Sequence, residues 1–477
     1  MSRSVFSDFG SVPDKNAHDF SVSVDGISVA ETIGERDSQQ DTIFVAKVRN
    51  KEACATPKAF YERVVEEAVH RHKDCENGTT LCSAIVTPPS EEDLKAGKTF
   101  PKITIANLGD SRAAIVAKTK DGRYISIILT EDHDLKVPRV RKHFDDCGGE
   151  IGFSSESSRT PRAVCRSAAK PILLGMGAAI GDCNARGTDG CHALMTEPDI
   201  WEYDLNAFPF VVVLPGGYRQ EVLPRDQIQE LDLIVSCDGL YDVSGLRKLA
   251  ADFRVYKNDT GIAFSNDNSE KTEGLSEIKR AFDDEHGEES GSKISFAAAL
   301  QDLALSELSN DNISIACVNL VSGGKNRITE PLMTTVCDGH GGKEVGRAAD
   351  SIFSDFSGGE ISASVAAMLY RAAEAEHVPG LEMPSGYFHN FLAEAGVVIP
   401  ALNVVAKEKD EREPSYSVGG GGAGGGSSTA AAQRERGVRF SSAEEAEAAG
   451  LPVPPPPFIA PVTGAAVAAS PPQVELH

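Results

Sequence analysis

An α+β fold, with sheets sandwiched between helices, is predicted by three features of this sequence. Short β-branched runs recur along the chain, two of them are apolar almost without interruption, and helical runs precede and follow them. Taken in order, FSVSVDGISVAETIG and DTIFVAKV (Asp41 to Val48) have the partly alternating pattern of strands, and FYERVVEEAVHRH (Phe60 to His72) reads as a helix. KITIANLGD, AAIVAK, YISIILT and PFVVVLP supply further strands. LDLIVSCDG and NISIACVNL have the continuous apolar character of central strands covered on both faces. RAADSIFSDF and ISASVAAMLYRAAEAEH read as late helices.

The 477 residues are 41% hydrophobic and 25% charged, enough to bury one large or two ordinary cores. Residues 1–19 form an N-terminal extension and 20–405 a single domain. Within it, 257–292 is polar and mostly acidic, and is expected to be a mobile surface flap. From 406 to 477 the composition shifts to glycine, alanine and proline runs such as LPVPPPPFIAPVTG, which predict a disordered, extended tail. Two short tail patterns carry docking potential: Arg436-Gly437-Val438-Arg439-Phe440, a basic-x-Val-x-Phe motif, and Pro452 to Pro461, which suits a groove that binds polyproline.

The formal net charge of −24 argues against nucleic-acid binding, which needs clustered Lys and Arg. No run approaches eighteen apolar residues, so no membrane span is expected, and the first residues have no apolar core flanked by basic ones. Ten scattered cysteines without a CxxC pair favour a reduced compartment, cytoplasmic or nuclear. A monomer is expected.

The chemistry lies in aspartates at the ends of apolar runs. Val336-Cys337-Asp338-Gly339, Val235-Ser236-Cys237-Asp238-Gly239 and Asn310-Asp311-Asn312-Ile313-Ser314 each put a carboxylate at a strand edge, and Arg36-Asp37-Ser38-Gln39-Gln40-Asp41 puts another just before a strand. A single such dipeptide is an ordinary turn. Several carboxylates brought to one edge repel unless cations lie between them, and hard oxygen donors without a His or Cys cluster indicate Mg²⁺ or Mn²⁺ rather than zinc. A water between two ions ~3.5–4 Å apart would lose a proton more readily and could be aimed at phosphorus. His70, His72 and His143 lack accompanying ligand motifs and read as surface or core histidines. Cys237 and Cys337 read as buried small hydrophobes.

Further segments make a resemblance specific. GTT (Gly78 to Thr80), ANLGDSRAAIV (Ala106 to Val116), LTEDHD (Leu129 to Asp134), GGEI (Gly148 to Ile151), LLGMGAAIGD (Leu173 to Asp182), EPDI (Glu197 to Ile200), VSCDGLYDV (Val235 to Val243) and SNDNISIACV (Ser309 to Val318), together with DGHGG at Asp338, resemble the PPM (PP2C-type) metal-dependent serine/threonine phosphatases. The resemblance implies an α-β-β-α sandwich, two mostly antiparallel sheets flanked by helices, with two Mn²⁺ or Mg²⁺ ions at one sheet edge. It also implies phosphoserine and phosphothreonine proteins as substrates.

On that resemblance Asp338 bridges both metals, the Gly339 carbonyl binds one of them, and Asp238 and Asp311 bind the other. Arg36 grips the substrate phosphate, as a guanidinium does bidentately. His340 protonates the departing serine or threonine oxygen. Asp132 and Asp242 match a pair tied to a third, weaker ion. One departure is chemical: Gln40-Asp41 replaces the common Glu-Asp, so Gln40 faces the metal as an amide, while Asp41 still orients the attacking water. GTT and GDSR are read as packing and turn geometry.

The other departure is one of order. In the family DGHGG precedes GTT, yet no such motif lies between Asp41 and Gly78. Residues 333–356 are therefore read as a relocated strand and helix, inserted from the C-terminal side. The twelve residues between Leu320 and Met333 could span ~40 Å if extended. An active phosphatase is the favoured function. The alternative is a catalytically weak or dead pseudophosphatase that binds phosphoproteins as a scaffold.

Overall fold

The computed structural model describes residues 20–353, apart from 25, 33–35, 37–39, 155–159, 167–171, 186, 188–191, 214–219, 242–252, 259–260, 267–273, 287–294, 308, 341–344, 347 and 350–351. The N-terminal extension, the tail with its docking motifs, the helix expected over ISASVAAMLYRAAEAEH and Asp242 lie outside these residues.

Two sheets, antiparallel except where Phe253–Asn258 runs parallel to Tyr124–Ile128, form the centre. The larger has nine strands among the described residues. Its main path runs Phe20–Val24, Ile27–Thr32, Ile313–Ser322, Ile228–Ser236, Arg112–Thr119, Tyr124–Ile128, Phe253–Asn258 and Gly261–Asn266. The smaller runs Asp199–Asp204, Lys102–Leu108, Leu81–Thr87, Leu332–Cys337 and Thr42–Lys47. Period-two patterning explains how they stack. Ile103 and Ile105 face the inter-sheet core while Ala106 and Leu108 face a second core, and Ala113, Ile115 and Ala117 face inward while Ala114 and Val116 face out.

Each outer face is covered by helix. Phe60, Tyr61, Val64, Val65 and Ala68 recur at helical spacing in Pro57–His72 and pack on Leu81, Ile85 and Leu108 of the smaller sheet. Val345, Ala349, Ile352 and Phe353 join that core from late in the chain. Against the larger sheet, Phe296, Leu300, Leu303 and Ala304 of Phe296–Ser306 pack on Ile313, Ile315 and Ile234. Each such fully buried Leu, Ile or Phe stabilises by about 1.5–3 kcal/mol. The predicted α+β, α-β-β-α sandwich is what forms.

The late strand is built into the middle of the smaller sheet. Leu332–Cys337 pairs antiparallel with Thr42–Lys47 on one side and Leu81–Thr87 on the other. Three hydroxyls tie it in, with Tyr61 Oη 2.9 Å from Ser83 Oγ and Ser83 Oγ 2.7 Å from Thr335 Oγ1. The connection is compact rather than extended. Gly323 and Gly324 turn at φ of 58° and 74°, Lys325–Asn326 folds back on Val321 and Ser322, and Pro331 O accepts from Val48 N.

One expectation is corrected. Residues 257–292 are in part ordered: Phe253–Asn258 and Gly261–Asn266 extend the larger sheet, and Leu275–His286 is a helix with Leu275 and Ile278 in the core. Lys279, nearly buried, meets Asp283 at 2.5 Å and Asp232 at 3.7 Å, so its charge is paired rather than solvated. Cys147 is disulfide-bonded, and eight other cysteines are free thiols.

Candidate active site

Antiparallel pairing places the end of one strand beside the start of its neighbour, and this gathers the carboxylates. Ile228–Ser236 ends next to the start of Ile313–Ser322, with Ser236 opposite Ile315, so Asp238 and Asp311 share an edge. Leu332–Cys337 ends beside the start of Thr42–Lys47, with Cys337 opposite Thr42, which brings Asp338 to Asp41. The turn between Lys102–Leu108 and Arg112–Thr119 delivers Asp110. Carboxylate oxygens of Asp110, Asp238 and Asp338 lie within 4.8 Å of one another.

The backbone around these groups is locked. Cys237 N donates to Ser314 O at 3.1 Å, Ser314 N to Cys237 Sγ at 3.1 Å, and Ser309 Oγ to Gly239 O at 2.7 Å. Glycine is required at 239 by proximity: a Cβ there would lie 2.0 Å from Asn312 O. On the opposite sheet the Asp338 carbonyl accepts from Thr79 Oγ1 and Thr80 N, both at 2.9 Å, while Gly339–His340 pairs with Gly78–Thr79. Thr80 Oγ1 lies 2.7 Å from Ser111 Oγ, joining GTT to GDSR. These two motifs therefore hold the site as well as pack the sheet.

Crowding sets the electrostatics. Burial pushes the Asp41 carboxyl up to about 6, with Asp311 adding repulsion, against hydrogen bonding from Cys237 and Ser314. Asp338 is raised well above the usual range by burial and then by Asp41, Asp238, Asp110 and Asp311. Burial among the same carboxylates also raises the Cys237 thiol far above its ordinary value, which keeps it neutral and unreactive. A crowded set of anionic oxygens that repel one another fits a hard divalent cation. Asp110, Asp238 and Asp338 are the residues placed to hold one.

Arg36 stands at the rim, half exposed, with Nη2 2.5 Å from Asp311 Oδ2. Burial acts against its charge, but the bond to Asp311 and the fields of Asp311, Asp338 and Asp238 outweigh that and raise its pKa. Gln40 sits beside this pair, its backbone N–H donating to Asn312 Oδ1 at 2.9 Å. His340 Nδ1 lies 3.4 Å from Asp182 Oδ2.

No family profile matches the chain. Two curated plant proteins match parts of it. "Probable protein phosphatase 2C 72" of Arabidopsis thaliana is 26% identical over 129 residues, covering 27% of this chain and 38% of that protein. "Probable protein phosphatase 2C 12" of Oryza sativa subsp. japonica is 25% identical over 179 residues, covering 37% and 41%. Over these matched parts the chain is similar to PP2C-type phosphatases. It spans about two fifths of the length of these relatives. Among solved structures, serine-threonine phosphatase 2C from Toxoplasma gondii aligns at a TM-score of 0.34 with 16% identity, covering 63% of this chain and 96% of that one. A bacterial serine phosphatase aligns at 0.28 with 15% identity, covering 62% and 98%.

The structure draws together Arg36, Gln40, Asp41, Asp238, Asp311, Asp338, Gly339 and His340, and adds Asp110, which the sequence reading left as a turn residue. Its signal was present: KITIANLGD ends an apolar run in aspartate as the other segments do. Asp132, expected at a third ion, is held by arginine in this structure. Arg112 donates to it twice, Nε at 2.8 Å and Nη2 at 2.6 Å, and Arg254 stands 3.8 Å away. Burial alone would raise the Asp132 pKa, but Arg112 outweighs it and holds the carboxyl below its ordinary value. Asp242 lies outside the described residues.

Proposed function

We propose that the chain hydrolyses phosphoserine and phosphothreonine in proteins with the help of two Mn²⁺ or Mg²⁺ ions, a third binding more weakly. The observation that carries this reading is the convergence of Asp41, Asp110, Asp238, Asp311 and Asp338 with Arg36 at one sheet edge. Such ions, when bound, supply charge neutralisation at phosphate and a more acidic water. The protein's own part is distinct. Arg36 holds the phosphate oxygens, Asp41 orients the attacking water from a buried position, and His340 gives a proton to the departing serine or threonine oxygen. The position of Leu332–Cys337 between two early strands supports reading it as a relocated segment, since a sheet requires a strand's place and not its order along the chain.

A scaffold that binds phosphoproteins without turnover is the second reading. It is favoured by Gln40 in place of a carboxylate and by Arg36 closed onto Asp311. The full chain assayed on a phosphothreonine peptide separates the two. Turnover that needs added Mn²⁺ or Mg²⁺ and stops in chelator is expected of the enzyme, whereas binding of the peptide without release of phosphate would establish the scaffold.

A further inference from the structure

Arg36 is bonded to Asp311, and Arg112 and Arg254 stand against Asp132, but another arginine near the carboxylates is unmatched. Arg162 is partly buried, its Nε is shut off from solvent without a hydrogen bond, and no carboxylate among the described residues comes within ion-pair distance of it. A guanidinium drawn in from water without an acceptor is costly. The position calls for an anion that the chain itself does not provide.

The local strands explain how it comes there. Arg162–Cys165 is the middle strand of a small sheet, between Ile151–Gly152 and Ile172–Leu174. Period-two alternation sends Ala163 and Cys165 into a core with Leu135, Val140 and Phe144, and turns Arg162 away from it. Glycine flanks it on both sides. Arg162 is paired with Gly152, and a Cβ at Gly175, one residue beyond Leu174, would lie 3.3 Å from Arg162 Nη1. The same Cβ would lie 3.7 Å from Asp110 Oδ2, so a single missing side chain separates the guanidinium from a carboxylate of the candidate metal site.

Two arginines thus approach the cluster by different routes. Arg36 lies in the fields of Asp311, Asp338 and Asp238, whereas Arg162 stands across Gly175 from Asp110. We propose that Arg162 is a second grip on the substrate's phosphate, donating its Nη hydrogens to an oxygen that Arg36 does not hold. The inference deepens the phosphatase reading and rests on it. The planar fork of arginine suits phosphate oxygens, and the gap at Gly175 is the opening that Nη1 faces. Because the contact is to the phosphoryl group and not to the peptide, its worth is the same whatever alcohol leaves.

The test uses the Mn²⁺-loaded full chain with a phosphothreonine peptide and p-nitrophenyl phosphate. Arg162→Gln keeps most of the stem and removes the charge, while Arg162→Lys keeps the charge and removes the fork. Arg162→Gln should lower kcat/KM by about 10- to 100-fold, the worth of a charge-assisted hydrogen bond, and by the same factor on both substrates, with Arg162→Lys recovering part of the loss. Inhibition by inorganic phosphate should weaken by about tenfold or more. Mn²⁺ binding to the substrate-free chain, followed by electron paramagnetic resonance, should be unchanged. A loss confined to the peptide would place Arg162 against the peptide chain, an unaltered rate would leave it without a role in binding, and weaker Mn²⁺ binding would make it a support of Asp110; each overturns the proposal. Absence of turnover in the unaltered, metal-loaded chain would instead remove the phosphatase reading. In that case calorimetry with inorganic phosphate still decides the grip: tighter binding by the unaltered chain than by Arg162→Gln upholds it, and equal binding rejects it.

Discussion

The Arg36 guanidinium lies 2.5 Å from the carboxylate of Asp311, so the cation expected to grip substrate is engaged by an anion expected to bind metal. A divalent ion bound at Asp311 would free Arg36 for phosphate. Arg36→Ala should raise KM for a phosphopeptide by about 10- to 100-fold, the worth of a charged hydrogen bond, and leave the fold intact because the side chain is half exposed. Steady-state kinetics with saturating Mn²⁺ checks this, and an unchanged KM would place the phosphate elsewhere.

Asp110 and Asp238 differ in what the sequence says of them but not in where the fold puts them. Asp238→Asn should cut turnover by at least ~10³-fold, since several kcal/mol of transition-state stabilisation leave with the ion. Asp110→Asn should raise the Mn²⁺ concentration for half-maximal rate by about tenfold or more. If Asp110→Asn behaves as the unaltered chain does in a metal titration, Asp110 is a turn residue only.

The metal-free protein should lose stability as pH rises. The Asp41 pKa goes from 3.8 to about 6 on folding, so its contribution is whole below about pH 4 and disappears as pH climbs through about 6. Asp338, raised further by burial and four neighbouring carboxylates, acts in the same direction. In chelator the melting temperature should fall by roughly 5 °C between pH 5 and 7. Mn²⁺ should abolish the dependence, and Asp338→Asn should stabilise the metal-free fold at pH 7 while ending hydrolysis. A flat profile in chelator would mean the carboxylates do not repel.

Gln40 offers a gain rather than a loss. Gln40→Glu should lower the metal concentration for half-maximal rate, because an anionic oxygen attracts a divalent ion more strongly than an amide oxygen. The same requirement in both forms would show that residue 40 faces away from the ions.

Strand existence was legible in the sequence because alternation in runs such as KITIANL depends only on neighbouring residues. Partition into two sheets came only through the resemblance, since it rests on pairings like Leu332 with Lys47 and Val86 that local pattern cannot encode. The helix Leu275–His286 escaped notice because Lys279, Arg280, Asp283, Asp284 and Glu285 swamp the apolar spacing of Leu275, Ile278 and Phe282. Phe296–Ser306 failed in the opposite way, being apolar nearly all round and so without a clear helical period. Among the site residues, the aspartates at 238, 311 and 338 were readable from strand-end position. The link from Asp182 to His340 was not, because it depends on a small three-stranded sheet assembled from residues far apart in the chain.

The placement of Leu332–Cys337 has a consequence for synthesis of the protein. Thr42–Lys47 and Leu81–Thr87 emerge from the ribosome early, but the strand that joins them follows some 245 residues after the second, tens of seconds later at ~5–20 residues per second. Through that interval the nascent smaller sheet presents two open edges and an uncovered apolar face, the condition that recruits chaperones and invites pairing with other chains. Folding is therefore held back until translation is almost three quarters done, and the same residue that completes the sheet, Cys337, delivers Asp338 to the site. No chain that ends before this strand can assemble the carboxylate cluster, so the order of the gene also times the appearance of the site.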